Sequence, residues 1–489
     1  MLYRTATTVC VTLLSIGIGV ASAQSNKALI SISPANPSVE KGKTVQLSAI
    51  QSGSTISAQW TSSAPGIAAV NGNGLVTGLA AGKATISAKR GPSRASTTVT
   101  VTAPAAAPAP APAPAPSPTP TAPDPSWVVI YPGDVIQNYV NAHPAGTTFY
   151  LKAGTHRRQT ITPKSDQRFI GETGAVLDGE SVTPIAFSTL TLQSYRVTVK
   201  GLIIRNYASG SSQGAIQGDN GISWIVEDNT IHNNLVIGIR LGPRWTARRN
   251  KVYRNGLIGI SGYAANYAVV EGNEVYENVY TADAGITAQT SGMKFLRCID
   301  LVIRNNYVHH NYAKGIWIDG GYPTSIIEGN RVTYNAHAGI WVEGSYSAII
   351  RNNVAERNGP QDKPGSLVGH AGIQVTNSPN VEVYGNQVLY NSNGIGVMQS
   401  YTPTTHPTYG VLEIRNLYVH DNVVRMQIGR TGLVQIINNT AYYTSKNNRF
   451  VHNTYYLGPN QWYYAWSDQS LHESQWKAWG QDMTGTFIR

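Results

Sequence analysis

The sequence predicts an all-β chain, in which a long parallel β-solenoid of three-stranded coils follows a small β-sandwich. Three observations carry that prediction. Asparagines recur in pairs five residues apart: Asn229/Asn234, Asn250/Asn255, Asn273/Asn278, Asn306/Asn311, Asn330/Asn335, Asn353/Asn358 and Asn386/Asn391. A Gly-Ile step follows each pair, at Gly238, Gly259, Gly285, Gly315, Gly339, Gly372 and Gly394. Composition is the third: 48 glycines and 27 tyrosines stand against only 13% charged residues, which excludes coiled coils and helical bundles, whose surfaces need Glu, Lys and Arg.

The elements follow in chain order. Arg4 precedes an apolar run from Val9 to Val20, and Ala21-Ser22-Ala23 supplies a small-residue cleavage site. Residues 1–23 therefore read as a secretory signal peptide, and the mature chain is expected to be secreted, periplasmic or at the cell surface. No later run is long enough to form a membrane span. Cys10 lies within the signal, which leaves Cys298 without an intramolecular partner, as a small buried apolar residue.

Residues 24–103 alternate polar and apolar residues in short runs, such as Thr44-Val45-Gln46-Leu47, separated by turns such as Asn71-Gly72-Asn73-Gly74. The stretch Trp60–Ala88, with its Gly74-Leu-Val-Thr-Gly-Leu79 core, resembles the bacterial Ig-like group 2 domain. That resemblance implies a presentation or adhesion module. Residues 104–125 are an Ala/Pro-rich linker, an extended spacer of about 3.1 Å per residue.

Residues 126–489 hold the repeat. First asparagines of successive pairs lie 21, 23, 33, 24, 23 and 33 residues apart, so one coil takes about 22 residues, with longer loops inserted in some turns. No single unit can bury its apolar face, whereas stacked units can. Asp134–Val140 reads as a short amphipathic helix capping the open N-terminal end, and the aromatic tail from Trp462 to Trp479 as the cover of the other. A three-strand coil with asparagine at a turn resembles the right-handed parallel β-helix of the pectate-lyase-like superfamily. Asparagine tolerates a left-handed backbone and can bond to its counterpart in the next coil, so both columns read as structural ladders.

Each Gly-Ile strand splits into two faces. Inward go Ile239/Leu241, Ile286/Ala288, Ile316/Ile318, Ile340/Val342, Ile373/Val375 and Ile395/Val397. Outward go Arg240, Ser261, Thr287 with Gln289, Trp317 with Asp319, Trp341 with Glu343, and Gln374 with Thr376. Strands about 4.8 Å apart make Trp317 and Trp341 neighbours, and likewise Asp319 and Glu343. Two exposed tryptophans beside two carboxylates form an expected sugar platform, and insertions at 279–284, 359–371, 290–300 and 399–412 form its walls. The walls bring Lys294, Arg297, Lys363, His370, Tyr401 and His406, while Lys314 lies near the floor.

Polysaccharide cleavage is the expected function. In a hydrolase, Asp319 and Glu343 divide the general-acid and nucleophile or base roles, while Trp317, Trp341, Gln289, Gln374 and Lys294 bind the sugar chain. In a lyase, the two carboxylates hold Ca²⁺ against a uronate, and Lys314, Lys294 or His310 removes the C5 proton. An epimerase starts with the same step. A non-catalytic glycan-binding or adhesin-type protein would use the same platform without turnover. The clustered aspartates of polygalacturonases and the Asp-Pro-His-His-Asp signature of alginate epimerases are absent, as are zinc-type spacings and phosphate-binding loops. The net charge is +11, but residues 24–103 set seven Lys and Arg against Glu40 alone, which fits that module to an anionic cell-envelope or matrix polymer rather than nucleic acid. The floor itself is expected to be negative.

Overall fold

The computed structural model describes residues 30–40, 44–51, 53–102, 124–280, 289–322, 324–359, 367–426, 428–458 and 462–489. The expected signal segment, most of the spacer, and Ile286, Thr287, Ala288 and Lys363 lie outside the described residues. The chain divides into two compact units, 1–106 and 107–489.

In the first unit, alternation places one face of each strand inside. Gly82–Arg90 buries Ala84, Ile86 and Ala88 and pairs antiparallel along Ser93–Thr102. Leu47, Ala49, Ala68, Val76, Ile86 and Val99 form the core of the sandwich. The Asn71–Gly74 turn is built by the Asn71 carboxamide, which accepts from the amides of Asn73 and Leu75, both at 3.0 Å. Gly74 adopts φ +82, and a Cβ there would stand 2.5 Å from the Leu47 carbonyl, so this turn requires glycine.

Among the described residues the second unit is a parallel β-helix with three sheets of 13, 13 and 12 strands, in which strands pair in parallel with their counterparts in the next coil, save Gln469–Leu471, which closes the third sheet antiparallel to Tyr464–Trp466. Ile136–Ala142 is the expected short helix, and it buries Ile136 and Val140 in the same core as Phe149. Both asparagine columns are ladders. Asn306 donates its Nδ2 to Asn330 Oδ1 at 2.9 Å and to the Val270 carbonyl at 2.9 Å, while its backbone amide reaches the same Oδ1 at 3.0 Å. Asn311 does the same toward Asn335. These side chains are 0–1% exposed, so an unpaired amide would cost about 1–3 kcal/mol. The first ladder runs on through Asn422 and Asn453 and ends on Asp482, whose carboxylate also accepts from Tyr455 and Trp476.

The second ladder explains the Gly-Ile step. A Cβ on Gly315 would lie 2.5 Å from Val332 Cγ1, 2.6 Å from the Gly339 carbonyl and 2.9 Å from the Asn335 amide, so the ladder and the next strand fill the space of a side chain. One coil departs from the expected pattern. After Asn278 the third-sheet strand is Ser291–Leu296 rather than one beginning at Gly285-Ile286. Met293 pairs with Ile260 and Ile316, and Phe295 with Gly262 and Ile318. Gly292 takes the glycine position, where a Cβ would lie 2.6 Å from the Asn311 amide. The segment expected as a wall after the sheet is therefore largely a strand of the sheet.

Candidate active site on the third sheet

Register along the third sheet places the outward residues in rows. One row runs Arg240, Ser261, Lys294, Trp317, Trp341, Gln374. A second, two residues along, runs Tyr263, Leu296, Asp319, Glu343, Thr376. Beneath them Ile316, Ile318, Ile340, Val342, Ile373 and Val375 are fully buried, so the outward side chains stand on a packed support. Cys298 is buried, as expected.

The tryptophans do not form an exposed platform. Their rings stack on each other with centroids 5.1 Å apart and planes 9° apart, so they stand on edge with faces turned along the solenoid. Lys294 Nζ covers Trp317 at 3.5 Å from the ring centroid, and Trp317 is only 3% exposed. Lys314 Nζ lies 4.5 Å from the Trp317 ring and 5.4 Å from that of Trp341. The correction follows from register: neighbouring strands bring identical flat side chains face to face, which uses up the surface a sugar would need. The indole N–H groups do orient polar neighbours. Trp317 Nε1 donates to Glu343 Oε2 at 3.1 Å, and Trp341 Nε1 donates to Thr376 Oγ1 at 2.9 Å.

Lys294 Nζ lies 3.0 Å from Asp319 Oδ2 and also donates to Gln289. Burial lowers the Lys294 pKa against the opposing pull of Asp319. Burial, then repulsion from Lys294, lowers that of Lys314 to about 8. Burial, then the charge of Asp319, raises Glu343 to about 7. Two lysines and two carboxylates thus share the floor, one carboxyl being half-neutral near pH 7. This floor is not negative, because Lys294 stands in the tryptophan row rather than on a wall. Ca²⁺ takes six to eight oxygen ligands. The described residues here supply two carboxylates, one already paired with an ammonium, so the donor set does not fit that ion.

Gln374 is an outward neighbour of Trp341, and its Oε1 is buried without a hydrogen-bond partner among the described residues. Gln289 is not on a strand; it stands in the turn before Ser291–Leu296 and meets the floor through Lys294. His310 is not at the floor. It follows the second-sheet strand Tyr307–His309 in a left-handed turn with φ 52, stacks on Tyr334 at 5.1 Å, and lies with its Nδ1 2.8 Å from that of His309. Histidines on the second sheet cannot share a face with the third.

The insertion at 399–412 does build a wall. Its hairpin pairs Thr404–His406 with Gly410–Leu412, and His406 and Tyr409 pack on Tyr322 and Tyr346 beyond the carboxylate row. Tyr401 brings its hydroxyl against Gly344, next to Glu343, and its pKa is pushed up by burial and then by the charge of Glu343. Arg297 is turned outward toward Tyr263. A pocket of about 290 Å³ opens on the other side of Lys294, lined by Arg240, Ser261, Tyr263, Gln289, Leu296 and the apolar Ile237 and Ile258. Arg240 is held there by Asp219 at 2.8 Å. Sequence reasoning left Arg240 as a solvated residue and passed over Tyr263; the row that joins Arg240 to Lys294, and the one that joins Tyr263 to Leu296, were hidden by the misplaced coil.

Comparison with curated protein sequences finds no match. Among solved structures, the chain is similar to the A-module of the Azotobacter vinelandii mannuronan C-5 epimerase AlgE4, at 14% identity and TM-score 0.45, covering 62% of this chain and 95% of that one. It is similar to XylC in complex with xylose, at 13% identity and TM-score 0.48, covering 72% and 82%. It is also similar to the catalytic domain of a GH87 alpha-1,3-glucanase in complex with nigerose, at 12% identity and TM-score 0.49, covering 96% and 87%. Such low identities say nothing of residue roles. The bacterial Ig-like domain (group 2) profile matches residues 28–103. The right-handed beta helix region profile matches residues 167–299, 242–409 and 301–460, more than half of the chain, and with its three parallel sheets the chain belongs to that family.

Proposed function

We propose that the protein is a secreted polysaccharide-cleaving enzyme acting by glycoside hydrolysis on the third sheet. The observation that carries this reading is the pair Asp319 and Glu343, in register on adjacent strands and differing in environment. Glu343, raised to about 7, keeps a proton to give to the glycosidic oxygen. Asp319, paired with the Lys294 ammonium, supplies the charge that attacks the anomeric carbon or activates water. Trp317 holds Glu343 in place through its indole N–H, and Gln374 offers its unused carbonyl oxygen to a sugar hydroxyl. The carboxyl separation selects retention or inversion.

A second reading, β-elimination on a uronate chain, is favoured by Lys314, whose pKa is lowered to about 8 and so suits it to remove a C5 proton while Lys294 neutralises the carboxylate. Incubating the protein with neutral and acidic glycans separates the two. New reducing ends without ultraviolet absorbance of an unsaturated uronate support hydrolysis, and that absorbance supports elimination. Binding without either product would refute cleavage and leave an epimerase or a glycan-binding or adhesin-type protein. Loss of the activity in Asp319→Asn and Glu343→Gln is expected; its retention would move the site elsewhere.

A further inference from the structure

A second surface lies away from the third sheet, where the second-sheet strands turn toward it. In coil order it runs Tyr334, Arg357, Tyr390, Arg425, Tyr456, so rings and guanidinium groups alternate. Arg357 Nη1 donates to the Tyr334 hydroxyl at 3.0 Å and its guanidinium lies 5.6 and 5.3 Å from the Tyr334 and Tyr390 rings. Arg425 Nη1 donates to the Tyr390 hydroxyl at 2.9 Å and its guanidinium lies 5.7 and 4.4 Å from the Tyr390 and Tyr456 rings. Tyr334, Arg357 and Tyr390 occupy left-handed turn positions, with φ of 55, 53 and 56. Asparagine or glycine meets that demand at less cost, so local backbone preference does not select these side chains.

The stripe forms one side of a trough. A cavity of about 550 Å³ is lined by Tyr334, Arg357, Tyr390, Ser392 and Ile428. A second, of about 240 Å³, continues past Tyr390 to Arg425 and Tyr456. Tyr334 and Ile428 are exposed at 43% and 70%. At about 4.8 Å per coil the five residues span about 19 Å, and an extended glycan advances by a comparable length per sugar. Arg357 has Glu356 as its acidic neighbour, while Arg425 makes no ion pair among the described residues.

We propose that this trough is a docking site for an extended glycan bearing carboxylates, which sit on Arg357 and Arg425, while its ring hydroxyls accept from the tyrosine O–H groups, whose oxygens take the arginine hydrogens. It rests on the reading that the protein acts on a polysaccharide, and it would hold the polymer while the third sheet processes another stretch of it. Charge complementarity selects the occupant: the stripe presents cations at alternate coils, and a neutral glucan gains nothing from them.

The test uses the full chain carrying Glu343→Gln, so that bound polymer is not consumed, in affinity electrophoresis through gels containing polygalacturonate, polymannuronate or a neutral β-glucan. A polyuronate is expected to retard this protein more than the glucan does, and adding Arg357→Gln and Arg425→Gln is expected to weaken retardation at least tenfold. The same two substitutions in the otherwise natural chain should leave cleavage of short oligosaccharides and the thermal midpoint unchanged. Undiminished retardation of the triple variant would overturn the docking site and leave the function reading intact. Equal losses on glucan and polyuronate would overturn the choice of an anionic glycan. If no glycan retards even the Glu343→Gln chain while the natural chain cleaves none, both readings fall.

Discussion

Replacing Glu343 by Gln should remove the activity and, at the same time, stabilise the fold in a pH-dependent way. The folded carboxyl titrates at about 7 instead of its ordinary 4.5, because burial and the charge of Asp319 disfavour its ionised form. Between those values the folded chain binds more protons than the unfolded chain, so natural stability falls as pH rises through that window and is level on either side. The gap of about 2.5 pH units, at about 1.4 kcal/mol each, corresponds to about 3 kcal/mol; partial exposure of the carboxyl reduces this to about 2. Gln stays neutral throughout and can still accept from the Trp317 indole. Urea denaturation of both chains should therefore show matching midpoints near pH 4 and a growing advantage for Glu343→Gln up to pH 8. An advantage of the same size at both ends would refute the electrostatic account of the site.

Hydrolysis by a protonated Glu343 predicts a kcat/KM that falls as pH rises through about 7, read from initial rates of reducing-end release. Asp319→Asn should lower kcat by about 10²–10⁴-fold and cost about 3 kcal/mol in a denaturation curve, because it strands the buried Lys294 ammonium. Gly315→Ala should cost about 1–3 kcal/mol through overlap with Val332 and Gly339, with reduced soluble yield as a second readout. Asn353→Ala, which breaks bonds to Asn330, Asn386 and Ile327, should cost about 3 kcal/mol on a thermal melt.

The coil was readable because its two strictest demands are single-residue ones: asparagine where a turn amide must reach the next coil, and glycine where that amide leaves no room. Asn422 and Asn453 escaped notice because neither has an asparagine five residues on. The Asp319/Glu343 neighbours were readable for the same reason, since register follows from the repeat. What failed depended on loop length. The insertion after Asn278 made Gly285-Ile286 look like the next strand, although Gly292-Met-Lys-Phe295 carries the same glycine-apolar-x-apolar pattern. That one slip moved Lys294 from floor to wall and left the floor looking negative when a second ammonium offsets its carboxylates. The tryptophan platform failed differently: the sequence says that two rings are adjacent, but only side-chain geometry says whether they face solvent or each other.

Asp482 gives the first asparagine ladder an end. Every carboxamide oxygen in that column accepts from the coil below, and each side-chain amide passes one hydrogen to the next oxygen up while returning the other to a backbone carbonyl of the coil below. A carboxylate at the last position receives from Asn453, Tyr455 and Trp476 and has no hydrogen to pass on. The column is therefore polar, with a terminus written in a single acceptor, and its length is set chemically as well as sterically. A second copy stacked beyond Asp482 would find no donor with which to continue the series. The same interaction that allows coils to be added without limit is stopped by exchanging one nitrogen for an oxygen, which keeps a repetitive molecule finite.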